Sequence, residues 1–146
     1  PKFDEKLRFV RAMTDWSTQE VKSGKPVVIV GDFNIAPLEH DVWSSKQLRD
    51  VVSHTPIERE LLAELSRTSG GWVDALRALT PPEQKLYSWW SYRNRDWQKS
   101  DRGRRLDHIW LSPALKGDLK AGTIMREARN FDSPSDHVPV IVELAA

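Results

Sequence analysis

Residues 27 to 34 read Val-Val-Ile-Val-Gly-Asp-Phe-Asn, a β-branched apolar run that stops on an aspartate and an asparagine. Four branched side chains in a row are stiff at χ1 and disfavour a helix, so Val27 to Val30 is predicted as a strand. Apolar on both faces, it is expected to be a central strand, parallel to its neighbours and covered on each side. Upstream, Phe3, Leu7 and Val10, with Phe9, Met13 and Trp16, fall at spacings of three and four, which predicts an amphipathic helix over 3–21. Gly24 and Pro26 end it. A helix feeding a buried strand is half of a βαβ unit, and the expected class is α/β.

Further elements follow the same rules. Thr55-Pro56-Ile57-Glu58 places a capping residue, a first-turn proline and a glutamate three residues after the cap, a helix start continued by Leu61, Leu62 and Leu65. Residues 72–79 read as a short helix stopped by Pro81-Pro82, and the aromatic-rich 86–93 (Leu-Tyr-Ser-Trp-Trp-Ser-Tyr-Arg) as a strand. In the strand expected around 104–111, alternation puts Asp107 on one face with Ile109 and Leu111. Val138, Val140 and Val142 mark a last strand, with Pro139 near its start or on an edge because it lacks an amide donor. No repeat or long linker divides the 146 residues, a length that buries about two thirds of the unfolded surface and fits one domain.

Composition narrows the classes. No apolar run approaches the roughly eighteen residues of a membrane span, so no membrane partner is expected. A chain without cysteine has neither disulfides nor thiolate metal sites, and a cytoplasmic location is expected. A net charge of +1 excludes coating nucleic acid by bulk charge, so any such contact must be local. The first residue is proline, and no signal-like segment follows it; a processed, cloned or proteolysed chain is expected.

Three places could carry chemistry. Asp32 and Asn34, two apart on an extended chain, leave from one face at a strand's carboxyl end, where open α/β sheets place ligands; the same residues also suit a simple turn. Asp136-His137 precedes a strand, and a histidine beside a carboxylate can be an oriented acid, base or donor, although the pair can equally be a loop feature. Asp107, if it points inward, needs a partner, either His137 or a structural arginine. Between Arg93 and Arg105 six basic residues face two aspartates, with Trp97 inside and Trp89, Trp90 and Tyr92 just before. Cations among aromatics suit a phosphate backbone with an exposed base or sugar; the alternative is a solvated loop beside core tryptophans.

Taken together, Gly-Asp-Phe-Asn at 31–34, Tyr-Ser-Trp-Trp-Ser-Tyr-Arg at 87–93, Arg-Arg-Leu-Asp-His-Ile at 104–109 and Ser-Asp-His-Val-Pro-Val at 135–140 resemble the exonuclease III family of apurinic/apyrimidinic endonucleases, within the endonuclease/exonuclease/phosphatase superfamily. The resemblance covers the chain but only the carboxyl-terminal portion of such a domain, so residues 1–146 are expected to be that portion, with the amino-terminal half missing. It implies a four-layered α/β sandwich of two facing mixed sheets flanked by helices. It implies cleavage of double-stranded DNA beside abasic sites or from 3′ ends with Mg2+ or Mn2+, and little activity without the missing half. Carried over by motif, Asp32 would activate water and Asn34 would bond the scissile phosphate. Asp107 would orient His137, which would stabilise transition-state charge. Asp136 with Asp32 would attend the metal, and Trp89, Trp90, Arg93, Arg95, Arg104 and Leu106 would meet DNA. Arg104 stands where relatives often carry an apolar residue. The rival expectations are another phosphoesterase of the superfamily, or a DNA-binding fragment without catalysis.

Overall fold

The computed structural model describes residues 1–145. In chain order it contains α1 (Lys2–Glu20), β1 (Val28–Asp32), α2 (Ser45–Leu48), α3 (Pro56–Ser66), β2 (Val73–Asp74), α4 (Ala75–Ala78), α5 (Trp97–Ser100), β3 (Asp107–Leu111), β4 (Leu119–Ile124) and β5 (Val140–Leu144), with short 3-10 turns between them. The first sheet runs β1-β3-β2 and the second pairs β4 with β5. Among the described residues no helix is long and apolar enough to cross a membrane.

The α1 and α3 helices form where their patterns predict. Leu7 and Val10 of α1 pack with Leu61, Leu62 and Leu65 of α3 over Ile29 and Trp110 of the first sheet. The capping box at Thr55 is present: Glu58 N–H donates to Thr55 Oγ1 at 3.4 Å, and Thr55 N–H donates to the Glu58 carboxylate at 3.2 Å. On the other face β3 meets β5, and Ile109 lines an open cleft with Val138 and Val140 at whose edge Val30 stays largely exposed. The described layers are thus helices, sheet, sheet, in keeping with the expected α/β class; every strand pair among the described residues is antiparallel, so the mixed pairing expected of the sheets is not seen in this portion.

Three local expectations are corrected. The β1 strand is neither central nor parallel: it pairs antiparallel with β3 alone, at the sheet edge, and Val28 and Val30 stay 43% and 65% exposed. Its two-faced apolar character therefore overstates its cover among the described residues. The helix expected over 72–79 shrinks to α4, because Val73 and Asp74 join β3 opposite Leu111 and Trp110, and the Asp74 carboxylate then accepts from Arg77 N–H to start the turn. The aromatic segment forms no regular strand. Ser88 and Trp89 N–H both donate to Arg104 O, while Trp90 N–H donates to Asp136 O and Val138 N–H donates to Ser88 O. Its backbone groups are divided between two neighbours, which yields single bridges from Trp89 to Arg104 and to His137 in place of a ladder.

Gly103 lets that segment close. A Cβ there would lie 2.5–2.6 Å from the Cβ and ring of Tyr87. Gly103→Ala should destabilise the fold by about 1–3 kcal/mol in urea unfolding, since the neighbour is a buried aromatic that cannot yield. Gly117→Ala, with nothing within 4 Å, should be near neutral.

The core also holds a neutral histidine. His108 is buried, its Nε2 donates to Ile35 O at 2.8 Å, and its ring stacks on Phe33 at 5.2 Å. Burial, reinforced by the Arg105 charge, lowers its pKa from 6.5 to about 4. The unfolded chain binds this proton more readily, so the stability His108 contributes is complete above pH 6.5 and is lost as pH falls toward 4. Urea midpoints should fall across that window by an amount equivalent to roughly 3 kcal/mol, and His108→Gln should flatten the slope.

Candidate active site

The register of the first sheet builds the site. Antiparallel pairing sets Asp32 directly opposite Asp107, Gly31 opposite His108 and Val30 opposite Ile109. Opposed residues share a face, so the carboxyl end of β1 and the amino end of β3 present two carboxylates side by side. The bridge between Trp89 and His137 delivers the third member from the loop before β5. His137 Nδ1 donates to Asp107 Oδ2 at 2.8 Å, and His137 Nε2 lies 3.6 Å from Asp32 Oδ2. Asp32, Asp107 and His137 thus offer ligand or proton-carrying atoms within 4.8 Å of one another.

Neighbours fix each group. Ser88, fully buried, donates to Asp107 Oδ2 at 2.7 Å while its own Oγ accepts from the N–H groups of Leu106 and Asp107 at 2.9 and 3.1 Å. Asp32 Oδ1 accepts from Asn34 N–H at 2.8 Å, and Asn34 adopts a left-handed φ of 51°, so the expected turn and the expected site residues are the same feature. Lys6 of α1 donates to Asn34 O at 2.9 Å and pairs with the buried Glu58 carboxylate. Burial opposes a charge on His137, but its hydrogen bond to Asp107 and the nearby negative charges of Asp107, Asp32 and Asp136 outweigh that and raise its pKa above 6.5. A charged imidazole beside an exposed carboxylate can hold an anionic group and stabilise charge that develops on it.

The expected partner of Asp107 is therefore His137. The arginine alternative belongs to other carboxylates. Arg105 is buried and bonds Asp41 at 2.8 and 2.9 Å and Asp74 at 2.8 and 2.7 Å. Burial opposes its charge, but the two carboxylates hold its pKa above the usual arginine value. Arg105 is thus a core ion-pair residue of the basic stretch.

Two residues expected at a DNA surface lie in the interior. Trp90 is 2% exposed, packs with Tyr87, Trp97 and Val138, and donates through Nε1 to Asp101 at 2.9 Å. Leu106 is 4% exposed and lies in a cluster against which Trp89 packs, so it supports that ring from below. A run of aromatics does not show which alternate ring faces out, because the segment is not a regular strand. Trp89 remains half-buried, with its Nε1 donating to Asp136 Oδ2 at 3.0 Å. Arg93 and Arg95 are exposed. Arg104 lies over the Trp89 ring at 5.2 Å and donates to Val52 O and Ser53 Oγ at 3.1 and 2.9 Å.

The donor set for a divalent cation is partial. Asp107 Oδ2 already accepts from Ser88 and His137, and Asp136 Oδ2 accepts from Trp89, outside the Asp32 cluster. Hard cations take about six oxygens. Asp32 and a second carboxylate do not complete such a shell, so the residues of this chain do not by themselves fit one. Lys6 and Ser88 escaped the sequence reading: neither residue type announces a role, and only the fold joins Lys6 to Asn34, 28 positions away.

Comparison with known proteins places this geometry. The chain is 30% identical over 148 residues to exodeoxyribonuclease III of Haemophilus influenzae, matching 97% of this chain and 54% of that protein. Its structure superposes on an AP endonuclease from Archaeoglobus fulgidus with a TM-score of 0.92 and 25% identity, covering 100% of this chain and 56% of the other. It matches the 3′ phosphatase NExo from Neisseria bound to a product DNA hairpin with a TM-score of 0.85 and 33% identity, covering 100% and 55%. The chain thus spans about half the length of the relatives it matches. With the model of the Endonuclease/Exonuclease/phosphatase family matching residues 1–137, the chain belongs to that family, as its four motifs imply.

Proposed function

We propose that residues 1–146 are the carboxyl-terminal portion of a DNA repair nuclease that cleaves phosphodiesters at abasic sites and trims 3′ ends. The observation that carries this reading is the contact of His137 with Asp107 on one ring nitrogen, with Asp32 facing the other. His137, held by Asp107 and Ser88, would donate to a non-bridging phosphate oxygen and stabilise the charge that builds there. Asp32 would orient and deprotonate the attacking water, and the Asn34 amide, steadied through its backbone by Lys6, would bond the phosphate. The cation is Mg2+ or Mn2+, to which Asp32 and Asp136 would contribute and which needs further oxygen ligands from outside this chain. Double-stranded DNA with abasic sites or 3′ ends is the substrate, and the amino-terminal half of the domain is the other partner. Absence of cysteine fits action in the reducing cytoplasm.

The test compares hydrolysis of abasic duplex DNA, 3′-recessed duplex, inositol phosphates and sphingomyelin by the intact protein, and by residues 1–146 alone. Cleavage of both DNAs by the intact protein and none by the piece is expected. Preference for a lipid or inositol headgroup, or DNA binding that persists in EDTA without any cleavage, overturns the reading.

A further inference from the structure

The glutamate that caps α3 is tied down more firmly than a cap requires. A capping-box glutamate needs only the amide of the capping residue, and an ion pair carried into the interior costs desolvation. Glu58 is nevertheless fully buried. One of its oxygens accepts from Ser53 N–H at 2.8 Å, from Thr55 N–H at 3.2 Å and from Thr55 Oγ1 at 2.8 Å, and the other pairs with Lys6. We propose that Glu58 is a positioning residue for Asn34, and so for the phosphate contact assigned to the Asn34 amide, although it lies in another element and touches no reacting atom. This role rests on the phosphodiesterase reading above.

Two routes run from Glu58 to the site. Through the ion pair it fixes Lys6, whose ammonium donates to Asn34 O at 2.9 Å. Through Ser53 N–H it holds the 53–55 turn, in which Ser53 takes a left-handed φ of 85° and its carbonyl accepts from Ala36 N–H at 2.7 Å. The segment so gripped is held by every carbonyl it has. From Asn34 to Pro37 each one accepts from a basic side chain: Lys6 at 2.9 Å, His108 Nε2 at 2.8 Å, His54 Nδ1 at 2.8 Å and Arg59 Nε at 2.9 Å. His54 and Arg59 bracket Glu58 in sequence, and Lys6 is paired with it. The clamp answers a specific need. Asn34 has a left-handed φ of 51°, which a residue with a side chain keeps only where its surroundings over-determine it. Release of Lys6 and Ser53 together would let the Asn34 amide drift, and a misplacement of about 1 Å at a reacting group costs about a hundredfold in rate.

The experiment uses the intact protein with the double change Lys6→Met and Glu58→Gln, which removes the ion pair without leaving a lone buried charge. Its kcat on abasic duplex should fall about 10- to 100-fold while KM changes less than about threefold. Glu58→Gln alone keeps an acceptor for Ser53 and Thr55 and carries the same expectation if the double variant does not fold. Lys6→Arg, which can still pair with Glu58 and reach Asn34 O, should keep most of the rate. Thr55→Ala weakens the cap but leaves the ion pair, so it should lower the urea midpoint and leave kcat within about twofold. In an Asn34→Ala background the double change should cost less than about threefold more, because the group it positions is gone. A merely structural glutamate would multiply fully with Asn34→Ala and would lose activity in Thr55→Ala as well. Either result, or a normal kcat in the folded Glu58 variant, overturns the role.

Hydrogen exchange reads the clamp without activity. The Ala36 amide should exchange at least about tenfold faster in the Glu58 variants, with amides in the middle of α1 unchanged. If the intact protein cleaves no DNA while Ala36 is released in this way, the phosphodiesterase reading fails and the clamp stands. Ala36 exchange that stays the same in the Glu58 variants removes the clamp whatever the protein cleaves.

Discussion

In the intact protein, His137→Ala is expected to lower incision of abasic DNA by about a thousandfold or more, with a much smaller change in substrate affinity. The imidazole touches two carboxylates and no apolar partner is needed to explain its place, so its removal should take away transition-state stabilisation more than ground-state binding. Asp107→Asn is expected to cost less than His137→Ala but still about a hundredfold. The amide can keep the contact to His137 Nδ1, yet it cannot both accept from the ring and supply the negative charge that raises the His137 pKa. Asp32→Ala should match the histidine variant in severity, because among the described residues no other carboxylate lies opposite His137 Nε2. Single-turnover rates on abasic duplex decide the matter. Near-normal rates in His137→Ala or Asp32→Ala would remove the assigned roles.

The second large effect is on stability. Arg105→Met is expected to destabilise the fold by about 3–5 kcal/mol, a large fraction of the roughly 5–15 kcal/mol that holds a domain of ordinary stability. Asp41 is fully buried and also accepts from Arg77 and from Leu38 N–H, so without Arg105 much of its charge is left in the interior without compensation. Burial opposes ionisation of Asp74, and the Arg105 charge and hydrogen bonds hold its pKa below the usual carboxylate value despite that. Asp74 keeps 24% side-chain exposure, and Asp74→Asn should therefore cost less than Asp41→Asn. Urea unfolding of the three variants checks the order, and a near-neutral Arg105→Met would show that the pairs merely balance their desolvation.

Much of the site was legible because local rules govern it. The stop of an apolar run on Asp32 and Asn34 announced a strand end, the turn there uses Asp32 as acceptor, and four short motifs in order fixed the family. The Thr55 cap was legible for the same reason, since its donors and acceptors lie within four residues. Where partners were remote, the reading failed. Arg105 looked like one more surface cation until Asp41 and Asp74, distant in sequence, came to it. Trp90 and Leu106 looked like interface residues because local spacing cannot tell an outward ring from one packed on Trp97 or beneath Trp89.

By itself the sequence determined the class of fold and the two helices α1 and α3, and it singled out Asp32, Asn34, Asp107 and His137 as candidates for phosphate chemistry. Only the tertiary structure decided that β1 runs antiparallel to β3, so that Asp32 faces Asp107. It also decided that His137, not an arginine, is the partner of Asp107. The physical reason is range: turn, cap and periodicity are set within a few residues by backbone sterics and hydrogen bonding. Strand register and ion-pair choice are set by which distant groups can be buried together at least cost.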